Sequence, residues 1–422
     1  MERLIIQSAN ILFPDSKFYK QSADVLIEDG IIKAIEAPGK LTVSKGTKLI
    51  AGENQFLAPG FFDLNANFGE PGFETKEDFI TGCATAAAGG FTGVVLQPNT
   101  NPPLHSRSEI AFIVNSAKDA PVDIYPLGTI TKNREGKELA ELYDMKLAGA
   151  VAFSDGDRSL QHAGLMSRAL LYSQGFDGLI FSYSEDKSIA GKTKMNEGEM
   201  STYLGMKGNP NMAEELMISR DLFLVEYNDS PIHFSTISTA GAVEQIRKAK
   251  KKGLKVTCDV AAHHLLLTDD ELISFDSNLK VRPPLRSKAD RDALIKGLKD
   301  GTIDAIVSQH TPHEVEYKKV EFEIAEFGIA SLQTVLPMLL KAKLSLELII
   351  EKLAINSRKV LNIEPIQLKV GEQANLILIN PNELWIFDSK SNRSKANNNP
   401  LFNSELKGKV SLLIHKNKTL IL

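Results

Sequence analysis

PIHFSTISTAGAVEQIRKAKKKGLKVTCDVA, residues 231–261, reads as one strand–helix–strand unit. Its ends, PIHFSTIS and KVTCDVA, are short apolar runs of the kind buried on both faces of a parallel sheet. Between them, Val243, Ile246 and Ala249 share one face of a helix predicted over Ala240 to Lys252. Lys248, Lys250, Lys251 and Lys252 crowd the end of that helix, where cations suit its dipole, and read as a solvated end. The same alternation continues in both directions. FLAPGFFDLN, FTGVVLQP, VDIYPLGTI, AVAFSD, GLIFSYS and AIVSQH bring the strand candidates to eight, and most precede a helical segment. One such helix is predicted from Thr75 to Ala88, with Thr75-x-x-Asp78 as a capping box and Gly89-Gly90 as its stop. Eight β/α units predict an α/β fold, a (β/α)8 TIM barrel over residues 56–361. A doubly wound open sheet competes, but no glycine-rich phosphate fingerprint follows the first strand.

The flanks change period. In ADVLIEDGIIKAIE, Val25, Ile27, Ile31 and Ile35 alternate around a hairpin turn at Asp29-Gly30. ANLILINP, LWIF and KVSLLIHKNKTLIL repeat that style near the other end. Residues 1–55 and 362–422 are therefore expected to form one small β-sandwich built from both termini. Lys187–Asn211 and the Asn-rich Ser389–Asn399 read as loops, the former crossing one barrel face.

Composition narrows the function classes. With 49 Lys+Arg against 53 Asp+Glu, the net charge of −4 leaves no basic footprint for nucleic acid or an anionic membrane. Two cysteines, Cys83 and Cys258, are too few for a disulfide framework. One bridge between them stays open, a reduced cytosolic pair being the expectation. The start, MERLIIQSANILF, lacks secretory-signal character, and no apolar run is long enough to span a membrane. A soluble, cytoplasmic protein is expected.

Residues 70–103, EPGFETKEDFITGCATAAAGGFTGVVLQPNTNPP, closely resemble dihydroorotases of the amidohydrolase superfamily. The resemblance continues through FSYSED, STAGAVEQIRKAKKKGLKVTCDVAAHHLLLTDDEL, PPLRSKADRDALIKGLKDGTIDAIVSQHTPH and FGIASLQTVLP, nearly the whole chain. It implies a metal-dependent barrel with a β-sandwich appendage that interconverts carbamoyl-aspartate and dihydroorotate. In that chemistry, bound Zn²⁺ lowers the pKa of its water and polarises the carbonyl.

Set against the family pattern, this chain departs at each ligand position. The family's His-x-His is Asn65-Ala66-Asn67 here, and the histidine opening H-x-E-D is Tyr183. The second histidine of H-x-x-H is Thr236, and the aspartate of D-H-x-P-H, ligand and general base, is Gln309. A glutamine accepts no proton near neutral pH. In Phe153-Ser154-Asp155-Gly156-Asp157 either Asp155 or Gly156 matches the metal-bridging aspartate. The carboxylate-clamping arginine is Gly69, while Asn99, Asn101 and His313 remain as substrate-contact positions, and Arg282 offers an anion contact from another wall. His310 and His313 form a candidate acid/base pair, although a structural role is favoured for them and for His263-His264. Cys83 reads as core packing.

The reading that results is a catalytically silent dihydroorotase homologue with a structural or regulatory role and no cofactor. The resemblance implies homodimeric or higher assembly and an aspartate transcarbamoylase partner. The alternative is an active dihydroorotase or related cyclic-imide hydrolase with an atypical zinc site. A third reading is a small-molecule sensor whose pocket is lined by Asn99, Arg282 and His313.

Overall fold

The computed structural model describes residues 3–422. The chain opens with β1 (Arg3–Ile11), β2 (Ser22–Glu28), β3 (Ile31–Glu36), β4 (Lys48–Ala51) and β5 (Phe56–Pro59). Then come β6 (Phe61–Ala66), β7 (Phe91–Leu96), β8 (Asp123–Gly128), β9 (Ala152–Phe153) and β10 (Ile180–Tyr183). A small ribbon, β11 (Met195–Asn196) with β12 (Gly208–Asn209), precedes β13 (Ile232–Ser235), β14 (Val256–Ala261) and β15 (Ala305–Val307). The chain ends with β16 (Asn375–Phe387), β17 (Ser404–His415) and β18 (Lys418–Ile421).

Both termini build one sheet, in the order β18-β17-β16-β5-β1-β2-β3, with β4 beside β1. Asp29 and Gly30 join β2 to β3 with φ of +49° and +75°, the left-handed pair that a two-residue hairpin requires. Val25, Ile27, Ile32 and Ile35 fill this sheet's own core with Leu376, Leu378 and Ile414 from the other end of the chain. Phe56–Pro59, read from sequence as the opening of the first barrel strand, pairs instead with β1 and β16. The chain crosses into the barrel at Gly60, where a Cβ would sit 2.3 Å from the Thr92 side chain. Only glycine permits that crossing.

The remaining eight long-range strands are parallel, in the order β6-β7-β8-β9-β10-β13-β14-β15. The ring closes where Ala66 bridges His310 and the Asn67 N–H donates to His310 O at 2.9 Å. Alternate side chains divide between two cores. Val95, Leu127, Ala152, Phe181, Ala305 and Val307 fill the barrel, while Val94, Phe153, Ile180 and Ile306 face the helices. This is the TIM barrel, joined to a β-rich domain.

Local corrections have clear causes. The helix predicted from Thr75 begins at Phe79, because Asp78 caps it by accepting from the Thr81 N–H at 2.8 Å. Thr75 is instead bonded to Glu314 at 2.6 Å. Lys187–Asn211, read as loop, contains two short helices and the β11–β12 ribbon. Buried Arg286 holds that ribbon, donating to Asn196 Oδ1 at 3.0 Å and Asn209 O at 2.8 Å. Ser389–Asn399 is irregular but anchored, with Asn398 and Asn399 buried and donating to Gly328 O and Ala330 O. Cys83 and Cys258 are both buried and free. Among the described residues, no helix is long and apolar enough to cross a membrane.

Candidate functional site

At the C-terminal ends of the barrel strands lies a cavity of about 470 Å³, where barrel active sites form. Asn65 and Asn67 enter it from the end of β6, Tyr183 from β10, Thr236 from just past β13 and Gln309 from just past β15. Two of these hold uncommon backbone conformations: Thr236 has φ of +54° and Gln309 +51°. A β-branched residue there is strained, and such strain concentrates at functional sites. The Thr236 turn is held by its N–H donating to Asp259 Oδ1 at 2.6 Å.

The amides are tied down. Asn65 Nδ2 donates to Thr236 Oγ1 at 3.2 Å. Asn67 Nδ2 donates to His310 O at 3.0 Å and Thr311 Oγ1 at 3.1 Å, and Gln309 Nε2 donates to Arg282 O at 2.8 Å. Tyr183 is buried, and that burial, with Glu185 alongside, raises its phenol well above the ordinary value. The five groups are thus uncharged.

The remaining sequence candidates separate. Gly156 lines the cavity, whereas Asp155 turns away from it. The Asp155 carboxylate accepts from Ile130 N at 2.9 Å, Thr131 N at 3.0 Å and Thr131 Oγ1 at 2.5 Å, a structural role set by residues distant in sequence. Asn99 lines the mouth; Asn101 does not, being exposed beyond it. Arg282 lines it too, but its guanidinium grips Glu185 through both Nε and Nη2, so the anion contact expected of it is already filled from within the protein. His310 lies behind the wall, fully buried, with Nδ1 accepting from Ser331 N at 3.0 Å. His313 does line the cavity, donating from Nε2 to Phe327 O at 2.9 Å. Burial lowers its pKa to about 4, so at neutral pH it carries no proton to give as an acid. His310 and His313 therefore do not form an acid/base pair. His263 and His264 are buried with ring centroids 4.6 Å apart and the planes tilted by 39°, and burial lowers both pKa values.

Sequence reading missed Lys76, Ser235, Asp157 and Phe327 as lining residues. Ser235 directly precedes Thr236 on β13 and could have been found by its place in the motif. Phe327 could not, since nothing in FGIASLQTVLP marks it as a wall.

These donors do not fit zinc. Zinc sites use imidazole, thiolate or carboxylate, and here the positions carry carboxamides, a protonated phenol and a hydroxyl. Among the described residues, no three His, Cys, Asp or Glu side chains are grouped so as to hold a metal ion. Asp157, the carboxylate that lines the mouth on this side, is bound to Arg134.

Beneath the mouth lies a buried polar layer. Asp63 accepts from Ser308 N at 2.8 Å and from its hydroxyl, linking β6 to the end of β15. His233 Nε2 meets Asp259 Oδ2 at 2.9 Å. Burial lifts the Asp63 pKa from the ordinary value near 3.8 to about 7, opposed by the Ser308 bonds. A carboxyl raised in the folded state stabilises fully below its unfolded pKa and loses that contribution as pH rises through the folded one. Asp63→Asn, which cannot ionise, is therefore expected to gain about 2–3 kcal/mol on the parent between pH 5 and pH 8. Urea unfolding at the two pH values measures this, and parallel responses from the two proteins would refute it.

The family model described as Dihydro-orotase-like matches residues 54–242. A dihydroorotase of Acetivibrio thermocellus is 41% identical over 394 residues, covering 92% of each chain. One of Syntrophus aciditrophicus is 40% identical over 418 residues, covering 98% of this chain and 97% of the relative. In fold, the L-hydantoinase (dihydropyrimidinase) from Arthrobacter aurescens superposes with a TM-score of 0.85 at 23% identity, over 100% of this chain and 98% of that one. With identity of 40% or more over nearly the full length of both chains, the chain belongs to the dihydroorotase family.

Proposed function

We propose that this member of the dihydroorotase family is catalytically silent and serves the pyrimidine pathway in a structural or regulatory role. One observation carries the reading. The general-base position holds Gln309, which takes up no proton near neutral pH and whose Nε2 is already committed to Arg282 O at 2.8 Å. Two other lining groups are poor bases near neutral pH: burial holds His313 at a pKa of about 4 with its Nε2 committed to Phe327 O, and Asp157 is engaged by Arg134.

A silent barrel acts through what it binds. The partners assigned to it are a second copy of the chain and aspartate transcarbamoylase, in the cytoplasm. Self-association is supported by the helix Met212–Asn228, on which Met212, Leu216, Phe223 and Tyr227 are exposed along one face.

The test is a turnover assay on the purified full chain, stripped with chelator and then given zinc. Hydrolysis of dihydroorotate and closure of carbamoyl-aspartate are both expected to stay at the buffer rate. Turnover that Gln309→Ala abolishes would overturn the reading and restore the enzyme.

A further inference from the structure

The wall of the mouth that carries Glu326, Phe327 and Gly328 belongs to an irregular turn, residues 321–329, held from beneath by two buried lysines. Lys280 follows the single turn Ser277–Leu279, and Lys318 ends the short helix Val315–Lys318. The Lys280 amine donates to Phe322 O, Glu323 O and Ala325 O. The Lys318 amine donates to Glu326 O and Gly328 O. Five carbonyls of one turn thus converge on two amines. Among the described residues no carboxylate bonds either amine, and a buried ammonium without a counter-ion is worse solvated than in water. The outer side of the turn is bare, with Ile324 68% exposed.

The charged groups around the amines do not make up the deficit. Lys194, just ahead of β11, repels Lys280, and Lys280 repels Lys318. Glu323 and Glu326 on the turn and Asp276 beside Ser277 attract them, but both glutamates stand exposed in water. His313, on the mouth side, is uncharged at neutral pH. Burial therefore outweighs attraction and lowers Lys280 to about 8 and Lys318 to about 7. At its far end the turn is fixed, because Gly328 N–H donates to Lys280 O at 2.8 Å and Gly328 O accepts from Asn398 Nδ2 at 3.0 Å.

We propose that residues 321–327 form a lid of the mouth, closed here over Lys280 and Lys318, that proton uptake by these two lysines releases. Opening returns both amines to water, where a lysine titrates at about 10.4. The open lid therefore binds more protons than the closed one wherever pH lies between the closed and free values. By linkage, opening is favoured as pH falls from about 10 to about 7, and it gains nothing more once the closed lid is protonated too. The bond from His313 Nε2 to Phe327 O is the further tie that must part. Glu326 and Phe327 leave the lining as the lid lifts, so the width of the mouth follows pH. The device does not depend on the mouth being silent.

Millisecond hydrogen exchange of the full chain at pH 7 and pH 9, with each rate divided by the intrinsic rate of the same amide, tests the lid. The reporters are the Ala325 N–H, which donates to Glu321 O at 3.0 Å, and the Glu326 N–H, which donates to Tyr317 O at 3.1 Å. Their protection is expected to rise at least tenfold from pH 7 to pH 9, with no such rise in β7 or β14. Lys280→Gln combined with Lys318→Gln keeps N–H donors for the carbonyls but takes up no proton, so protection there should agree within twofold at the two pH values. Lys318→Gln alone should keep only part of the rise, and melting curves identify any variant that has unfolded. Protection that is flat or falls from pH 7 to pH 9 in the parent, or a rise undiminished in Lys318→Gln, would overturn the lid. Turnover is no part of the readout, so the silent reading stands or falls separately.

Discussion

A chain carrying Asn65→His, Asn67→His, Gly156→Asp, Tyr183→His, Thr236→His and Gln309→Asp together is expected to retain at least one equivalent of zinc after dialysis, where the parent retains none. The scaffold for those ligands is in place. All six positions line one cavity at the strand ends, and Thr236 and Gln309 sit in positive-φ turns there. What is missing is donor chemistry. Neutral amides and hydroxyls do not repay the stripping of water from Zn²⁺, whereas imidazole and carboxylate ligands do so by on the order of 10 kcal/mol in structural sites. The hardest position is Gly156, at φ of +65°, where a Cβ would lie 3.1 Å from the Arg134 guanidinium. Aspartate tolerates that conformation better than most residues, and the guanidinium lies at the end of a flexible side chain. Metal analysis of purified parent and variant decides it. Zinc no higher in the variant than in the parent would mean that the mouth has lost its geometry as well as its ligands.

How much of this was legible in the sequence follows from the range of each interaction. The eight barrel strands were visible as apolar runs because burial on both faces is a local pattern. Barrel closure was not, since periodicity cannot show that Ala66 meets His310. The positions of Asn65, Asn67, Tyr183, Thr236 and Gln309 came from the resemblance to the family's ligand motifs, and the structure brings all five to one mouth. That the Asp155 carboxylate turns away from the mouth depends on Ile130 and Thr131, whose N–H groups it accepts from. Likewise Arg282 looked free because its partner, Glu185, lies 97 residues earlier in the chain. Phe56–Pro59 looked like barrel because its apolar run continues into β6 across Gly60, and only its pairing with β16 separates the two.

Lys280→Met is expected to loosen the mouth wall while the barrel stays folded. Lysine reads from sequence as a surface residue, yet Lys280 is only 1% exposed. Its ammonium donates to Phe322 O at 2.6 Å, Glu323 O at 2.9 Å and Ala325 O at 2.5 Å, and lies 4.8 Å from the Phe327 ring. Lys318 continues the clamp, donating to Glu326 O at 2.8 Å and Gly328 O at 3.1 Å. Burial lowers the pKa of Lys280 to about 8 and that of Lys318 to about 7, and both amines spend their N–H groups on these carbonyls. Methionine keeps most of the stem's volume and removes every donor. The buried Phe322 and Ala325 carbonyls, left without partners, cost roughly 1–3 kcal/mol each, which favours the turn swinging outward to meet water. Opening is therefore local. Hydrogen exchange of the amides from 321 to 329 should rise at least tenfold in Lys280→Met, with β6, β7 and β14 unchanged, and Lys280→Arg should restore part of the protection. Unaltered exchange across 321–329 would mean that the wall is held by Asn398, whose Nδ2 donates to Gly328 O at 3.0 Å, and that the lysines are passengers.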